Sequence, residues 1–339
     1  MRPFINWAGS REKDLGVILP LIPSDIGTFV DPFVGDGACY MAVEAKNYAL
    51  ADKNVDLISA WRAVQSGGPR IKTLLPELIK IWRDADDQFA EIQSGLVELK
   101  HSVDAGLFDD YRKKMQAIIR IVDKVPYEEL FPSQLSDPFE FTIELRHQAV
   151  HALEGLDDGL NDEAIANAFF TAFKAAVFQY LVEVYNKPES KNLQKASLLI
   201  FLMEYARGGK YVVDANEFRP EYGGMKLNRR TIADRMDTIM SSAFARKMED
   251  TKVYNLELFR LLGYPFPKEK DSFLFLDVPA ASSKTLSKAG HLRLAEFLAS
   301  GTKARWMAII PRDDVMKEQL MKLHPSVVPF GKELILMNY

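Results

Sequence analysis

Residues 31–40 read Asp-Pro-Phe-Val-Gly-Asp-Gly-Ala-Cys-Tyr and constrain the fold more than any other stretch of the chain. The apolar run Thr28-Phe29-Val30 before them predicts a short buried strand, and Ala38–Ala45 after them predicts the start of a helix. A strand that ends in an acid and turns through Gly-x-Gly into a helix makes a loop that an adenosine-bearing cofactor can approach closely. Glycine lacks a Cβ and tolerates positive φ, so ligand atoms can lie against bare backbone there. Asp52, in Leu50-Ala51-Asp52-Lys53-Asn54, ends the next predicted strand 21 residues after Asp31. A carboxylate at that spacing is well placed for ribose hydroxyls.

Short strand-like runs cluster at the two ends of the chain: Thr28–Asp31, Tyr48–Ala51, Lys252–Tyr254, Phe273–Asp277, Arg305–Ile310 and Glu333–Met337. Helical segments separate several of them, the pattern of a mostly parallel sheet with helices on both faces. A long helical block, roughly residues 56–206, interrupts the sheet. Asn161-Asp162-Glu163 starts one of its helices with a capping residue and first-turn acids. Ile165, Phe169, Phe173, Val177, Tyr180, Leu181 and Val184 follow at helical period and are expected to be core. Gly67-Gly68-Pro69 and Pro132–Pro138 read as breaks within the block, and Lys187–Lys191 as a polar turn. The expected domains are therefore a core from 1–60 and 245–339 and a mostly helical insertion, 61–244.

The 339 residues are 47% hydrophobic, enough for a sizeable core, and carry a net charge of −4. A nonspecific nucleic-acid binder is usually basic, so any contact with DNA must use a local patch. Residues 62–200 hold 16 Lys and Arg against 22 Asp and Glu, whereas 205–235 hold seven basic and four acidic residues. Lys210, Arg219, Lys226, Arg229, Arg230 and Arg235 are thus the candidates for phosphate contact. The lone cysteine, Cys39, suits a reducing cytoplasm and reads as a small buried residue. No apolar run reaches the roughly 18–20 residues needed to span a bilayer, and the N-terminus lacks a signal-peptide pattern, so no membrane partner is expected. His147 and His151 are spaced i, i+4 but lack the glutamate of a zinc-protease helix, and no metal site is expected.

Several separated segments resemble the Dam (D12 class) DNA adenine-N6 methyltransferases. Pro3-Phe4-Ile5-Asn6-Trp7-Ala8-Gly9-Ser10-Arg11 is similar to the P-F-x-K-W-A-G-G-K opening of that family. Asp31–Gly37 resembles its (D/E)-P-F-x-G-x-G loop, and Leu50–Asn54 its L-x-D-x-N strand end. Phe201–Gly223, ending Phe218-Arg219-Pro220-Glu221-Tyr222-Gly223, resembles its aromatic and glycine stretch. Phe273–Ala280 aligns with the strand that ends in D-P-P-Y, and His291–Ala295 and Glu333–Tyr339 are also similar to family segments. The resemblance implies a doubly wound, Rossmann-like α/β methyltransferase core with a large helical insertion where the family carries its target-recognition region. It implies S-adenosylmethionine as cofactor, with Trp7, Ala8, Gly9 and Arg11 near its methionine end. Asp31, Phe33, Gly35 and Gly37 would lie beneath the cofactor, Asp52 at the ribose and Glu257 near the adenine. It implies double-stranded DNA as partner, with a flipped adenine whose N6 amine is held by Asp277 and the segment at Pro279.

The chain departs from the family pattern where the base would sit. Val278 replaces the first proline of D-P-P-Y and Ala280 its aromatic residue. A stacked base is worth roughly 1–3 kcal/mol by alanine substitution, about what flipping costs, so the departure predicts weak methyl transfer. Arg11 and Ser10 replace a lysine and a glycine, and Val212 and Asp214 stand where the family has Arg and Asn. Only 14 residues separate Asp277 from His291, a short interval for the loop that covers the base. Two readings follow: a DNA adenine-N6 methyltransferase with reduced activity, or a pseudoenzyme that binds cofactor, DNA or a protein partner as a regulator. RNA or a small molecule is a further acceptor class, because the altered residues are those that define the acceptor.

Overall fold

Short runs rich in β-branched and aromatic residues form nine strands among the described residues. They are β1 (Thr28–Asp31), β2 (Asn47–Asp52), β3 (Val213–Asp214), β4 (Glu217–Phe218), β5 (Thr251–Asn255), β6 (Ser272–Asp277), β7 (Arg305–Pro311), β8 (Ser326–Phe330) and β9 (Glu333–Met337). The computed structural model describes the chain apart from residues 68, 109, 126, 128–129, 132–134, 136, 189–191 and 281–284, and apart from the side chains of 69, 70, 192 and 193. The expected breaks at Gly68 and Pro132–Pro138 and the turn at Lys187–Lys191 fall partly outside the described residues.

The chain divides into two compact units, one of Met1–Phe4, Gly9–Ser66 and Asp237–Tyr339, the other of Ile5–Ala8 and Gly67–Met236. The first holds a seven-stranded sheet in the order β5-β2-β1-β6-β7-β9-β8. β5, β2, β1, β6 and β7 run parallel, and β9 pairs antiparallel with both β7 and β8. From β1 the chain steps outward to β2 and β5, then returns to β6 on the other side of β1 and continues to β7. The strand order therefore reverses between β1 and β6. In an open α/β sheet that reversal opens a crevice beyond the carboxyl ends of the strands.

Alternation along each strand divides the core into two layers. Val30, Ala49, Leu274, Leu276, Trp306 and Ile310 face an aliphatic layer that includes Leu258, Leu261, Leu294 and Leu320 from three helices. The opposite face is aromatic: Phe29 stacks with Phe273 and Phe275, and Tyr48, Tyr40, Trp61 and Phe4 continue edge to face. Burial on both faces is what makes these strands continuous apolar runs, the signature of a parallel sheet. β8 lacks that signature. Its Pro329 reads as a strand breaker, and three of its five residues are exposed, yet the sheet edge tolerates a residue with no N–H to donate. The helix after the glycine loop is also shorter than its sequence suggests, Ala38–Ala42. Val43 turns extended, and its carbonyl accepts from the Tyr48 hydroxyl.

The second unit is built on the helices Pro69–Asp104, Tyr111–Val122, Pro138–Gly155, Asp162–Asn186 and Asn192–Tyr205. Asn161 caps the fourth of these by accepting from the Ala164 amide at 2.9 Å. All seven residues of its apolar stripe are buried. That helix is long and apolar enough to cross a bilayer by composition alone, but 67% of its apolar window is buried, as in a core helix. β3 and β4 form a hairpin whose two turn residues, Ala215 and Asn216, both have positive φ, the geometry of a tight two-residue turn.

Candidate functional site

The carboxyl ends of β2, β1 and β6 lie side by side in the first unit, and each ends in an aspartate: Asp52, Asp31 and Asp277. The Gly-x-Gly loop is pinned around the first two. Val34 N–H donates to the Ala51 carbonyl at 3.0 Å, and Gly37 N–H to the Val34 carbonyl at 2.7 Å. Below the loop, the Trp61 indole N–H donates to the Gly35 carbonyl at 3.0 Å. Gly37 has φ of 72°, and a Cβ there would meet the Trp61 ring at 2.6 Å. Both backbone geometry and space thus demand glycine.

Asp31 is 2% exposed and, among the described residues, accepts from the Phe33 amide at 3.0 Å. Burial pushes its carboxyl well above the usual range, and Asp277, Asp52 and Asp36 add like charge. Asp52 is half-buried, and burial raises it too, opposed by the amides of Asn54 and Gly35. One Asp52 oxygen takes the Asn54 amide at 2.8 Å. Phe33 packs against the aliphatic layer. Cys39 is buried, and burial raises its thiol.

Asp277 sits differently. Arg11 Nε donates to one of its oxygens at 2.9 Å and Nη2 to the other at 2.6 Å. Nη1 and Nη2 of the same guanidinium donate to the two oxygens of Glu333, on β9, at 2.7 and 2.8 Å. Asp14 stands 3.6 Å from Nη1. Burial still raises the Asp277 carboxyl, with Arg11 working against it. Val278 is buried, Pro279 half-buried and Ala280 exposed. Phe266 stacks with Tyr254 and packs at a tilt on Tyr264 near the end of β5, where Glu257 is exposed at the start of the short helix Leu258–Leu261. His291 is buried, with Nδ1 at 2.8 Å from an Asp314 oxygen.

The remaining sequence candidates lie in the second unit, Gly9 excepted. There Ala8 N–H donates to the Gly209 carbonyl at 2.8 Å, and Trp7 stacks on Tyr211 with centroids 5.5 Å apart. Tyr211 stacks in turn on Phe218. Tyr222 bonds Asn228 and packs against Phe178 and Trp82. The six candidate cations separate into two groups. Arg219 pairs with Glu183 and Glu217, while Arg230 and Arg235 share Glu204. Lys210, Lys226 and Arg229 are exposed. Sequence reasoning missed Glu333 and Trp61. Nothing local marks Glu333, which lies 322 residues from Arg11. Trp61 could have been found as the large residue one helix after a glycine that has no space for a side chain.

Against known proteins, the family of D12 class N6 adenine-specific DNA methyltransferases matches residues 7–131, which take in Trp7, the glycine loop and Asp52 but not Asp277. The type II methyltransferase M.CviBI of Paramecium bursaria Chlorella virus NC1A is 35% identical over 69 residues, 20% of this chain and 26% of its own. The DNA adenine methylase of Haemophilus influenzae is 36% identical over 64 residues, 19% of this chain and 22% of its own. The DNA adenine methylase of Escherichia coli is 38% identical over 64 residues, 19% of this chain and 23% of its own. The matched region thus spans about a quarter of the length of these curated relatives. Together with the reversed parallel sheet, these likenesses make the chain similar, over residues 7–131, to the D12 class of N6 adenine-specific DNA methyltransferases.

Proposed function

We propose that the chain binds S-adenosylmethionine at the carboxyl ends of β1 and β2 and transfers its methyl group to the N6 amine of adenine in double-stranded DNA. The buried carboxyl of Asp31 carries this reading, because no cation within bonding distance neutralises it among the described residues. S-adenosylmethionine supplies an electrophilic methyl on a sulfonium, together with an ammonium, and an acidic, desolvated strand end fits that positive charge. Gly35 and Gly37 offer bare backbone beside it, Asp52 an oxygen for ribose hydroxyls, and Glu257 a carboxylate beyond β5. Asp277, at the strand end next to Asp31, would accept from the target amine and direct its nitrogen lone pair. The contribution of these residues is positioning and charge placement. The helical unit would meet DNA through Lys210, Lys226 and Arg229, and the reaction suits a cytoplasmic protein.

One observation favours a second reading, a relative that holds cofactor without transferring the methyl group. Both Asp277 oxygens accept from Arg11, and Ala280 offers no ring to a flipped base. Transfer of tritiated methyl from S-adenosylmethionine to mixed-sequence duplex DNA separates the two. Incorporation that disappears in Asp277→Asn supports the enzyme; none at high protein concentration, with cofactor binding intact, leaves the second reading.

A further inference from the structure

The Arg11 side chain joins three parts of the first unit: the N-terminal segment, the end of β6 and the start of β9. Its guanidinium meets Asp277 along the Nε–Nη2 edge and Glu333 along the Nη1–Nη2 edge, with four donor distances between 2.6 and 2.9 Å. Asp14 stands beyond Nη1 at 3.6 Å. Two forks of this kind use both edges of a planar cation. A lysine, with a point charge and rotatable donors, cannot reproduce them. The three side chains are largely shielded, at 16% exposure for Arg11, 21% for Asp277 and 29% for Glu333. Arg11 also lies over the Phe330 ring at 5.8 Å, on the neighbouring strand.

We propose that Arg11 is a brace and not a cofactor ligand, and that Glu333 is its second anchor, the pair acting as positioning residues that fix the Asp277 carboxylate. This rests on the reading of the strand ends as a cofactor site. Glu333 holds the far edge of the guanidinium, so the near edge can meet only Asp277. Asp277 then keeps one orientation before any ligand arrives, and only its remaining lone pairs are open to a substrate amine.

Two measurements test the brace. The first follows hydrogen exchange of the Arg11 Nε–H in the ligand-free wild-type protein by nitrogen-edited NMR. Slow exchange, accelerated about tenfold in Glu333→Gln, is expected for a charged fork. Fast exchange in the free protein overturns the proposal. The second compares S-adenosylmethionine affinity by calorimetry in Glu333→Gln, Arg11→Lys and the double variant. A brace that fixes only Asp277 predicts S-adenosylmethionine affinity within about twofold of wild type in all three variants. Tighter binding in Glu333→Gln with weaker binding in Arg11→Lys overturns it, because that is the outcome for an Arg11 released to touch the ligand itself. Absence of binding by the wild type would remove the proposed function, while the exchange measurement would still decide the brace. That measurement on the wild-type protein needs no variant to fold.

Discussion

Two aspartates end adjacent parallel strands, and the protein treats them in opposite ways. Asp31 closes β1 inside a glycine loop, buried, with one backbone amide and, among the described residues, no cation bonded to it. Asp277 closes β6 with both oxygens bonded to a guanidinium. The β1 end is electrostatically incomplete and calls for a positive ligand; the β6 end is neutralised from within. A buried charge lacking a partner costs far more than a paired one, so a fold retains such a residue where binding repays the cost. On the function proposed above, the difference favours ligand capture at β1 and β2 and makes the acceptor step at β6 the weaker part of the site.

The largest effect on this contrast comes from the loop itself. Gly37→Ala would put a Cβ against the Trp61 ring at 2.6 Å on a backbone with φ of 72°. We expect a loss of about 3 kcal/mol in unfolding free energy, read by denaturant titration, together with loss of S-adenosylmethionine binding. A fully stable variant would show that the loop is less tightly packed on Trp61 than the geometry implies.

Asp31→Asn is the next step down and has two opposed outcomes. The folded carboxyl titrates above its unfolded value because of burial. The protein therefore loses stability as pH rises from the ordinary carboxylate range through the raised value. Asparagine can still accept from the Phe33 amide but carries no charge. We expect Tm at neutral pH to rise by about 2 °C or more while cofactor affinity falls at least tenfold. A lower Tm would mean that Asp31 is a structural residue.

At the other strand end, Ala280→Tyr tests whether the acceptor side fails for want of a ring. We expect methyl transfer to rise about tenfold, the worth of a modest stack, with cofactor affinity unchanged. Smallest are the effects on DNA contact. Lys226→Ala and Arg229→Ala should each lower the salt slope of DNA binding by about 1, whereas Arg219→Ala, whose charge is already spent on Glu183 and Glu217, should change it little.

The β1 end was legible in the sequence because its signals are local: an acid, two glycines and a second acid fall within 22 residues, and each has a backbone reason to be there. The sheet was legible for the same reason, since strands buried on both faces must be apolar throughout. β8 escaped because an edge strand can carry a proline and exposed residues. The β6 end was legible only in part. Asp277 and the loss of its aromatic neighbour can be read from the motif, but the forks of Arg11 depend on Glu333 far along the chain. The candidate cations show the same limit. Net charge singled out residues 205–235, but only folding reveals that Arg219, Arg230 and Arg235 meet their own glutamates.

The most direct test of the β1 site is a calorimetric titration of S-adenosylmethionine into wild-type protein and Asp31→Asn, repeated as pH is lowered. The contrast between the two aspartates predicts binding by the wild type that weakens as the Asp31 carboxyl protonates, and binding by the variant that is weak at every pH. Absence of binding by the wild type, or equal affinity and equal pH dependence in both proteins, would contradict it.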